Sequence, residues 1–231
     1  MSVALLRAKL DEVLSKFPEL GELCDRCISS RRWGGSAVLM VLDASFTSIG
    51  LSYFRSVVPA VARIKRELVE TGALRTLEDL MDADVELLRP FWRNRRSWEV
   101  AKGVAATLLQ HRGNDDVSKL RAWASSSNLE GWRLDPIGSL RGVGLVTYQY
   151  LRMMGGVDTV MPDRVVKRVI NGVLRECGFE AVEDDLEFVR TVERVASQTG
   201  RRPVELCWFT WLLSETELMK GPSYRDVVHL I

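Results

Sequence analysis

The sequence predicts an all-α protein made of many short helices. Apolar residues recur three and four positions apart in nearly every periodic segment, as in Val100, Val104 and Leu108, which is the spacing of a helix with one buried face. No segment shows the alternation of apolar and polar residues that a half-buried strand requires. Glycine and proline interrupt the periodic segments at close intervals, so each helix ends soon after it begins.

Six helices are predicted in the first part of the chain. Gly34-Gly35 separates the first two, Gly72 ends the third and Gly113 ends the fifth. Glycine ends helices readily because its backbone adopts conformations that other residues avoid. The six helices are predicted over residues 2–16, 34–45, 50–71, 84–92, 95–111 and 116–126.

Four more helices are predicted in the rest of the chain. A Gly-Val-Gly turn at 142–144 precedes the first of them, and Gly155-Gly156 ends it. Pro162 precedes the next helix, which ends at Gly178. Because Gly155-Gly156 is a strong interruption, a domain boundary is predicted there. The four helices are predicted over residues 144–154, 163–176, 184–198 and 202–219.

Composition and charge bound the class of protein. The chain has 231 residues, of which 46% are hydrophobic, which is typical of a globular protein with one large core or two smaller ones. Lys and Arg number 32 against 31 for Asp and Glu, a net charge of +1. The overall charge therefore does not indicate a nucleic-acid partner, and such a partner would need local positive charge.

The sequence also predicts where the protein acts. Four cysteines are too few for a secreted disulfide framework, and the N-terminus lacks the basic start and apolar run of a leader peptide. No apolar run reaches the roughly 20 residues that cross a bilayer. We therefore expect an intracellular protein, in the cytoplasm and nucleoid or in the nucleus, with no membrane partner.

The most informative segment runs from Asp135 to Gly178. A short helical turn ends at Leu140, the tight turn 142–144 follows, and a new helix starts at Leu145. Glycines let another molecule approach the backbone closely, and a new helix presents unpaired backbone N–H groups. Such groups bind phosphate oxygens without any basic side chain.

This segment resembles the helix-hairpin-helix of the base-excision DNA glycosylase superfamily, which includes endonuclease III and the adenine-mismatch, 8-oxoguanine and alkyladenine glycosylases. In that family a hairpin is followed by a helix, a glycine, an acidic residue that opens another helix, and an Arg-Val pair. The same order occurs here as the hairpin 140–144, Gly155, Asp163 and Arg168-Val169. The resemblance covers residues 34–178.

The resemblance implies a helix-hairpin-helix glycosylase-like fold of two helical domains with a cleft between them. A helical barrel over 34–157 would carry the hairpin, and 1–33 together with 158–231 would form the second domain and carry the candidate catalytic aspartate. The partner implied is double-stranded DNA with a damaged or mismatched base, bound in the cleft. We expect the protein to act as a monomer.

The family's catalytic acid corresponds to Asp163, which would stabilise positive charge on the sugar or activate the nucleophile. Asp163 is also well placed to cap the helix that follows it, and both roles can coexist. A simple ion pair with Lys167, one turn later, is a further interpretation. Asp158 is the rival acid, but it lacks the family spacing to an Arg-Val pair.

Phosphate contacts are predicted from the hairpin and from two basic clusters. The segment 89–102 carries five cations against one acid, Glu99, although such clusters are usually solvated helix faces. The predicted DNA-binding residues are Leu140, Arg141, Gly142, Val143, Gly144, Thr147, Arg93, Arg95, Arg96, Arg164 and Arg168. The resemblance also implies a monovalent cation bound by the backbone carbonyls of Gly138, Leu140 and Val143.

The sequence departs from the family at several positions. The lysine nucleophile of bifunctional members corresponds to Val146, so the resemblance implies a monofunctional enzyme that uses water and does not cleave the strand. Cys177 and Cys207 stand too far apart for the family's iron–sulfur cluster, so no such cofactor is expected. The glutamine that fills the gap of an extruded base corresponds to Ser45, which is too short for that task.

Three residues are candidates for a base pocket, namely Ser45, Trp208 and Trp211. The two tryptophans share one face of the last predicted helix, although a tryptophan stripe is more often part of a core. Asp43 is expected to have a structural role. The missing lysine and glutamine also favour an alternative function, a non-catalytic DNA-binding or lesion-recognition protein.

Overall fold

The computed structural model describes residues 3–47, 51–217, 225 and 227–231. Every regular element in these residues is helical and no strand occurs among them, which confirms the all-α prediction. Residues 2, 50, 218 and 219, which the sequence predicts to be helical, lie outside the described residues. No helix in the described ranges is both long and apolar enough to cross a membrane.

The described residues form twelve α-helices. Turns of π-helix at Tyr53–Val57 and Lys65–Val69 extend the fourth helix at both ends, so helical backbone runs almost throughout the predicted 50–71 segment. The helices are α1 (Val3–Leu14), α2 (Leu20–Ile28), α3 (Ala37–Thr47), α4 (Val58–Ile64), α5 (Leu77–Asp82), α6 (Val85–Leu88), α7 (Arg95–Leu108), α8 (Asp116–Ser126), α9 (Leu145–Met154), α10 (Arg164–Glu176), α11 (Asp185–Thr199) and α12 (Pro203–Glu217).

Two of these helices, α2 and α5, are missing from the prediction. Helix α5 has only six residues, which is too short to display a period. A capping box fixes it, because the Thr76 side chain accepts the Asp79 N–H while the Asp79 carboxylate accepts the Thr76 N–H. In α2 the buried residues Leu20, Leu23, Cys24 and Cys27 recur three and four positions apart, so the sequence carries the helical period and the prediction overlooked it.

Helix contacts fall into two groups. Helix α3 packs against α4, α7 and α9, while α5, α6 and α8 pack against α7. The N-terminal helices pack against the C-terminal helices: α1 contacts α10 and α11, and α2 contacts α12. Contacts between α2 and α9 join the two groups. Every residue of α3 is buried, so this helix lies at the centre of the fold.

Candidate functional site

The turn at 142–144 leads directly into α9. Gly142 has a φ of +103°, and a Cβ on it would lie 2.9 Å from Val100 Cγ2 and from Arg96 Nε, so only glycine fits this turn against α7. Gly144 is the N-cap of α9 and makes no side-chain cap. A Cβ on Gly144 would have no neighbour within 4 Å, so open space remains beside the unpaired N–H groups that begin α9.

The other hairpin residues differ in their access to a ligand. Arg141 is exposed and Val143 is half-buried, and the Val143 N–H donates to the Leu140 carbonyl at 3.0 Å. Thr147 is 0% exposed, because it lies on the buried helix α9 beside the core residues Leu145, Tyr148 and Leu151. It is also among the residues that line the cavity at the hairpin, so its contact with DNA stays a prediction.

The predicted cation site consists of backbone oxygens. Carbonyl groups are hard ligands that suit a hard cation, and the Leu140 carbonyl keeps a second lone pair beside its bond from Val143. Gly138 is buried so closely that a Cβ on it would lie 1.7 Å from the Trp132 carbonyl oxygen. No group of His, Cys, Asp and Glu side chains among the described residues could hold a metal. The cation site therefore stays a prediction that depends on the hairpin backbone.

Three neighbouring cavities form a groove that runs from the hairpin to Asp163. The first, about 330 Å³, is lined by Gly142, Gly144 and Val146 among others. The second, about 570 Å³, is lined by Val146 and Asp163. The third, about 290 Å³, contains Asp163 and Trp211 and is called the inner cavity below. Because adjacent cavities share lining residues, the hairpin, Val146 and Asp163 lie along one groove.

Asp163 combines a capping role with a place in the groove. Its Oδ1 accepts the Val165 N–H at 2.8 Å, which caps α10, and also the Trp211 Nε1–H at 3.4 Å. Its Oδ2 accepts no hydrogen bond from the part of the chain that the structure describes. One carboxylate oxygen is thus free to meet a ligand while the other holds the helix.

The sequence left two alternatives to Asp163 as the catalytic acid: an ion pair of Asp163 with Lys167, and Asp158 as the acid. In the structure both Lys167 and Asp158 have other partners. Lys167 donates to Asp185 Oδ1 at 2.8 Å and to the Glu183 carbonyl, so the suggested ion pair with Asp163 is wrong. Asp158 accepts the Val204 N–H at 3.0 Å, at the start of α12. Neither residue takes the place of Asp163 in the inner cavity, since neither lines it.

The aromatic residues of the inner cavity differ from those predicted. Trp211 lines it, and the Tyr53 ring lies 4.3 Å from the Trp211 ring. Trp208 is 1% exposed and lies under the Arg32 guanidinium, 4.6 Å away, so it belongs to the core. Ser45 is 0% exposed and donates to the Val41 carbonyl, so it cannot line a pocket. Sequence reasoning missed Tyr53 and Phe54, whose only signal is an aromatic pair before an apolar helix.

A buried polar cluster beneath the inner cavity holds Tyr53. Asp43 Oδ2 accepts hydrogen bonds from Arg32 Nη2 at 2.8 Å, Trp33 Nε1 at 2.8 Å, Tyr53 OH at 3.0 Å and Tyr150 OH at 3.1 Å. Burial raises the pKa of Tyr53 and of Tyr150 well above the usual value, so both hydroxyls stay protonated. Asp43 therefore has a structural role, and Tyr53 offers the cavity its ring rather than its hydroxyl.

The predicted basic residues are not equivalent. Arg164 and Arg168 line the inner cavity. Arg96 lies against Gly142, at the hairpin end of the groove. Arg95 instead forms ion pairs with Glu99 and Glu86, while Arg93 is exposed.

The groove thus combines a helix start that suits a phosphate, a carboxylate oxygen, an aromatic wall and four arginines. No family model, curated protein or solved structure matches this chain. An anion suits the hairpin end of the groove, and a flat group suits the aromatic wall of the inner cavity at the other end.

Proposed function

We propose that the protein is a monofunctional DNA glycosylase of the helix-hairpin-helix type, which hydrolyses the N-glycosidic bond of a damaged or mismatched base. The observation that carries this proposal is the continuous groove that joins Gly142 and Gly144 to the Asp163 carboxylate. The two groups of helix contacts support a barrel domain over 34–157 and a second domain from 1–33 and 158–231. DNA phosphates bind at the hairpin and the extruded nucleotide enters the groove.

Asp163 supplies the chemistry of this reaction. A water oxygen bonds to C1′ of the sugar while the C1′–N bond breaks, and the bonding electrons leave with the base. One water proton passes to Asp163 and on to solvent, and the departing base takes up a proton. The carboxylate charge stabilises the positive charge that develops on the sugar. Val146, between the hairpin and Asp163, offers no amine for a Schiff base, so the strand stays intact.

Replacing Asp163 by asparagine tests the mechanism. Asparagine caps helices as well as aspartate does, so the free energy of unfolding should change by less than about 0.5 kcal/mol. Base release from a panel of lesion-containing duplexes should fall by about 100- to 10,000-fold. With the unaltered chain, strand breaks should appear only after heat or alkali.

Asp158→Asn is the matched control, because Asp158 also accepts a backbone N–H at a helix start but does not line the inner cavity. This variant should release bases at the unaltered rate. Full activity of Asp163→Asn would contradict the mechanism, and strand breaks without alkali would contradict the role inferred from Val146.

A second candidate is a non-catalytic protein that recognises lesions. The hydrogen bond from the Val165 N–H to Asp163 favours this alternative. Capping of α10 alone explains an aspartate at this position, so a catalytic role is not needed to account for it. On this alternative the protein binds abasic or mismatched duplex and releases no base from any lesion. Multiple-turnover release of a single base type would exclude it.

A further inference from the structure

Charge distinguishes the inner cavity from an ordinary aromatic pocket. Among the described residues, two cations, Arg164 and Arg168, and one carboxylate, Asp163, line it, and the other described lining residues are uncharged. The described part of the wall is therefore net positive. The cavity volume is about 290 Å³, close to the lower limit of ligand pockets, which measure roughly 300–1,000 Å³. A cavity of this size suits a single nucleobase.

Arg168 is oriented by a neighbour on another helix. Its Nη2 donates to Ser214 Oγ at 2.8 Å, and Ser214 on α12 is 4% exposed. Arginine has five N–H donors in a planar fork, and within the described residues Arg168 makes no ion pair and no other side-chain hydrogen bond. Most of its donors are therefore available at the cavity.

Three uncharged polar side chains of the cavity, Tyr53, Thr47 and Ser214, already make hydrogen bonds within the protein. Tyr53 donates its hydroxyl proton into the buried cluster around Asp43, and Thr47 donates its own to the Asp43 carbonyl. Ser214 Oγ accepts from Arg168.

Three charged groups of the cavity stay open to a ligand: Asp163 Oδ2, which the proposed function assigns to the water and the sugar, and the guanidinium groups of Arg164 and Arg168. Of the two arginines, Arg168 is the one that Ser214 holds in place, and a guanidinium donates hydrogen bonds and never accepts them.

We propose that the inner cavity selects a nucleobase whose edge presents oxygen and nitrogen acceptors, an oxo-purine or oxo-pyrimidine, and rejects cationic alkylated purines. This inference rests on the proposed glycosylase function. An arginine fork pairs bidentately with a carbonyl oxygen and an adjacent ring nitrogen, as it does with O6 and N7 of guanine. A positively charged base would meet Arg164 and Arg168 and lose free energy by repulsion.

The same guanidinium could serve a backbone phosphate instead, and the two uses predict different results. A phosphate contact contributes equally to every duplex and steepens the dependence of affinity on salt. A base contact leaves the affinity for undamaged duplex unchanged and acts only on the extruded base. The test therefore measures both properties on the same variants.

The experiment compares duplexes containing hypoxanthine, which has a free O6 and N7 edge, with duplexes containing 7-methylguanine, which is cationic and methylated at N7. The unaltered chain should release hypoxanthine faster after spontaneous loss is subtracted. Arg168→Met should reduce hypoxanthine release by about 5- to 150-fold, the loss expected for one bidentate pair. It should raise 7-methylguanine release, because one repelling charge is lost, and should leave undamaged-duplex affinity unchanged. Arg168→Lys keeps the charge without the fork and should show a similar loss.

Arg112→Met is the control, since Arg112 is exposed and lines none of the three cavities, and it should leave both release rates and the duplex affinity unchanged. Faster release of 7-methylguanine by the unaltered chain, or a uniform loss of duplex affinity in Arg168→Met, would overturn the inference. If no base is released at all, the proposed function fails, and binding of the nucleosides inosine and 7-methylguanosine decides the inference separately. The measurement uses mildly acidic buffer, in which 7-methylguanosine keeps its positive charge. The Trp211 indole N–H resonance, assigned with Trp211→Phe, should shift with inosine only, and a shift with both nucleosides or neither would refute the selectivity.

Discussion

The two hairpin glycines have different tasks although only one residue separates them. Gly142 has a positive φ and packs against Val100 of α7, so its lack of a side chain serves the fold. Gly144 has a φ of −109°, which any residue adopts, and open space around it. Its lack of a side chain therefore serves whatever approaches the start of α9.

Gly144→Asp separates these tasks. Aspartate is at least as good an N-cap as glycine, so the variant should be as stable as the unaltered chain or more stable by a few tenths of a kcal/mol. Two like charges about 4 Å apart repel by roughly 1–4 kcal/mol near a protein surface, so duplex affinity should fall about tenfold or more. Binding isotherms and thermal melts measure the two effects.

Gly144→Asn controls for side-chain size, since it caps equally well and carries no charge. It should weaken binding clearly less than Gly144→Asp. Equal affinity of the aspartate variant and the unaltered chain would show that no phosphate approaches this helix.

The role of a single residue could be predicted from the sequence where that role is a hydrogen bond to the local backbone. It could not be predicted where the role depends on whether the side chain is buried. Asp163 caps α10 as predicted, because capping depends on local sequence. Ser45 is buried, and no local signal distinguishes its face, since every residue of α3 is buried. Thr147 is buried on α9, where nine of the ten residues are buried. Tyr53 comes to Trp211 only through tertiary packing, which one sequence does not encode visibly.

At the scale of elements, hydrogen bonds to Asp43 connect four parts of the chain. Asp43 lies on α3 and binds the turn at Arg32 and Trp33, the helical turn at Tyr53, and Tyr150 of α9. Trp33 adopts a φ of +56°, a conformation that costs a bulky residue free energy. The bond from its indole to Asp43 helps to offset that cost.

Asp43→Ala should therefore destabilise the whole fold. It leaves the Arg32 guanidinium buried without its counter-charge, a change that typically costs about 3–5 kcal/mol. Urea unfolding followed by circular dichroism measures the loss. Asp82→Ala, which removes an exposed carboxylate at the end of α5, should change the free energy of unfolding by no more than about 0.5 kcal/mol. Similar stability of the two variants would contradict a fastening role for Asp43.

Helix prediction follows the visibility of local signals. Helix α8 spans Asp116–Ser126, as predicted, and Asp115 caps it by accepting the Ser118 N–H. Helix α6 ends at Leu88 rather than at 92, since Pro90 lacks the N–H that would continue it. Helix α5 has only six residues, too few to display a period, whereas α2 has a clear apolar period that the prediction overlooked.

For the whole molecule, the net charge of +1 conceals an uneven distribution. Among the described residues, five cations and three acids line the groove, namely Arg96, Arg164, Lys167, Arg168 and Arg175 against Asp163, Glu183 and Asp185. Many cations elsewhere are matched by acids in ion pairs such as Arg190 with Glu130. The overall charge therefore understates the local excess of cations on which the proposed DNA partner depends. The joining of hairpin and aspartate in one groove needed the tertiary structure.

This distribution predicts how duplex affinity depends on salt. Four exposed arginines, Arg93, Arg96, Arg141 and Arg164, form no ion pair with the described residues, and if each neutralises one phosphate the plot of log affinity against log salt has a slope of about −3.6. Arg96→Met should weaken binding to all duplex sequences alike and reduce the slope by about 0.9.

Arg112→Met is the control for this salt dependence. Arg112 is also exposed, but it follows the far end of α7, whose 14 residues span about 21 Å, whereas Arg96 lies at the hairpin end. Its removal lowers the total charge equally and should leave the slope unchanged. Equal slopes for Arg96→Met and Arg112→Met would mean that net charge, not the groove, governs binding, and the DNA-binding assignment of the hairpin would then be wrong.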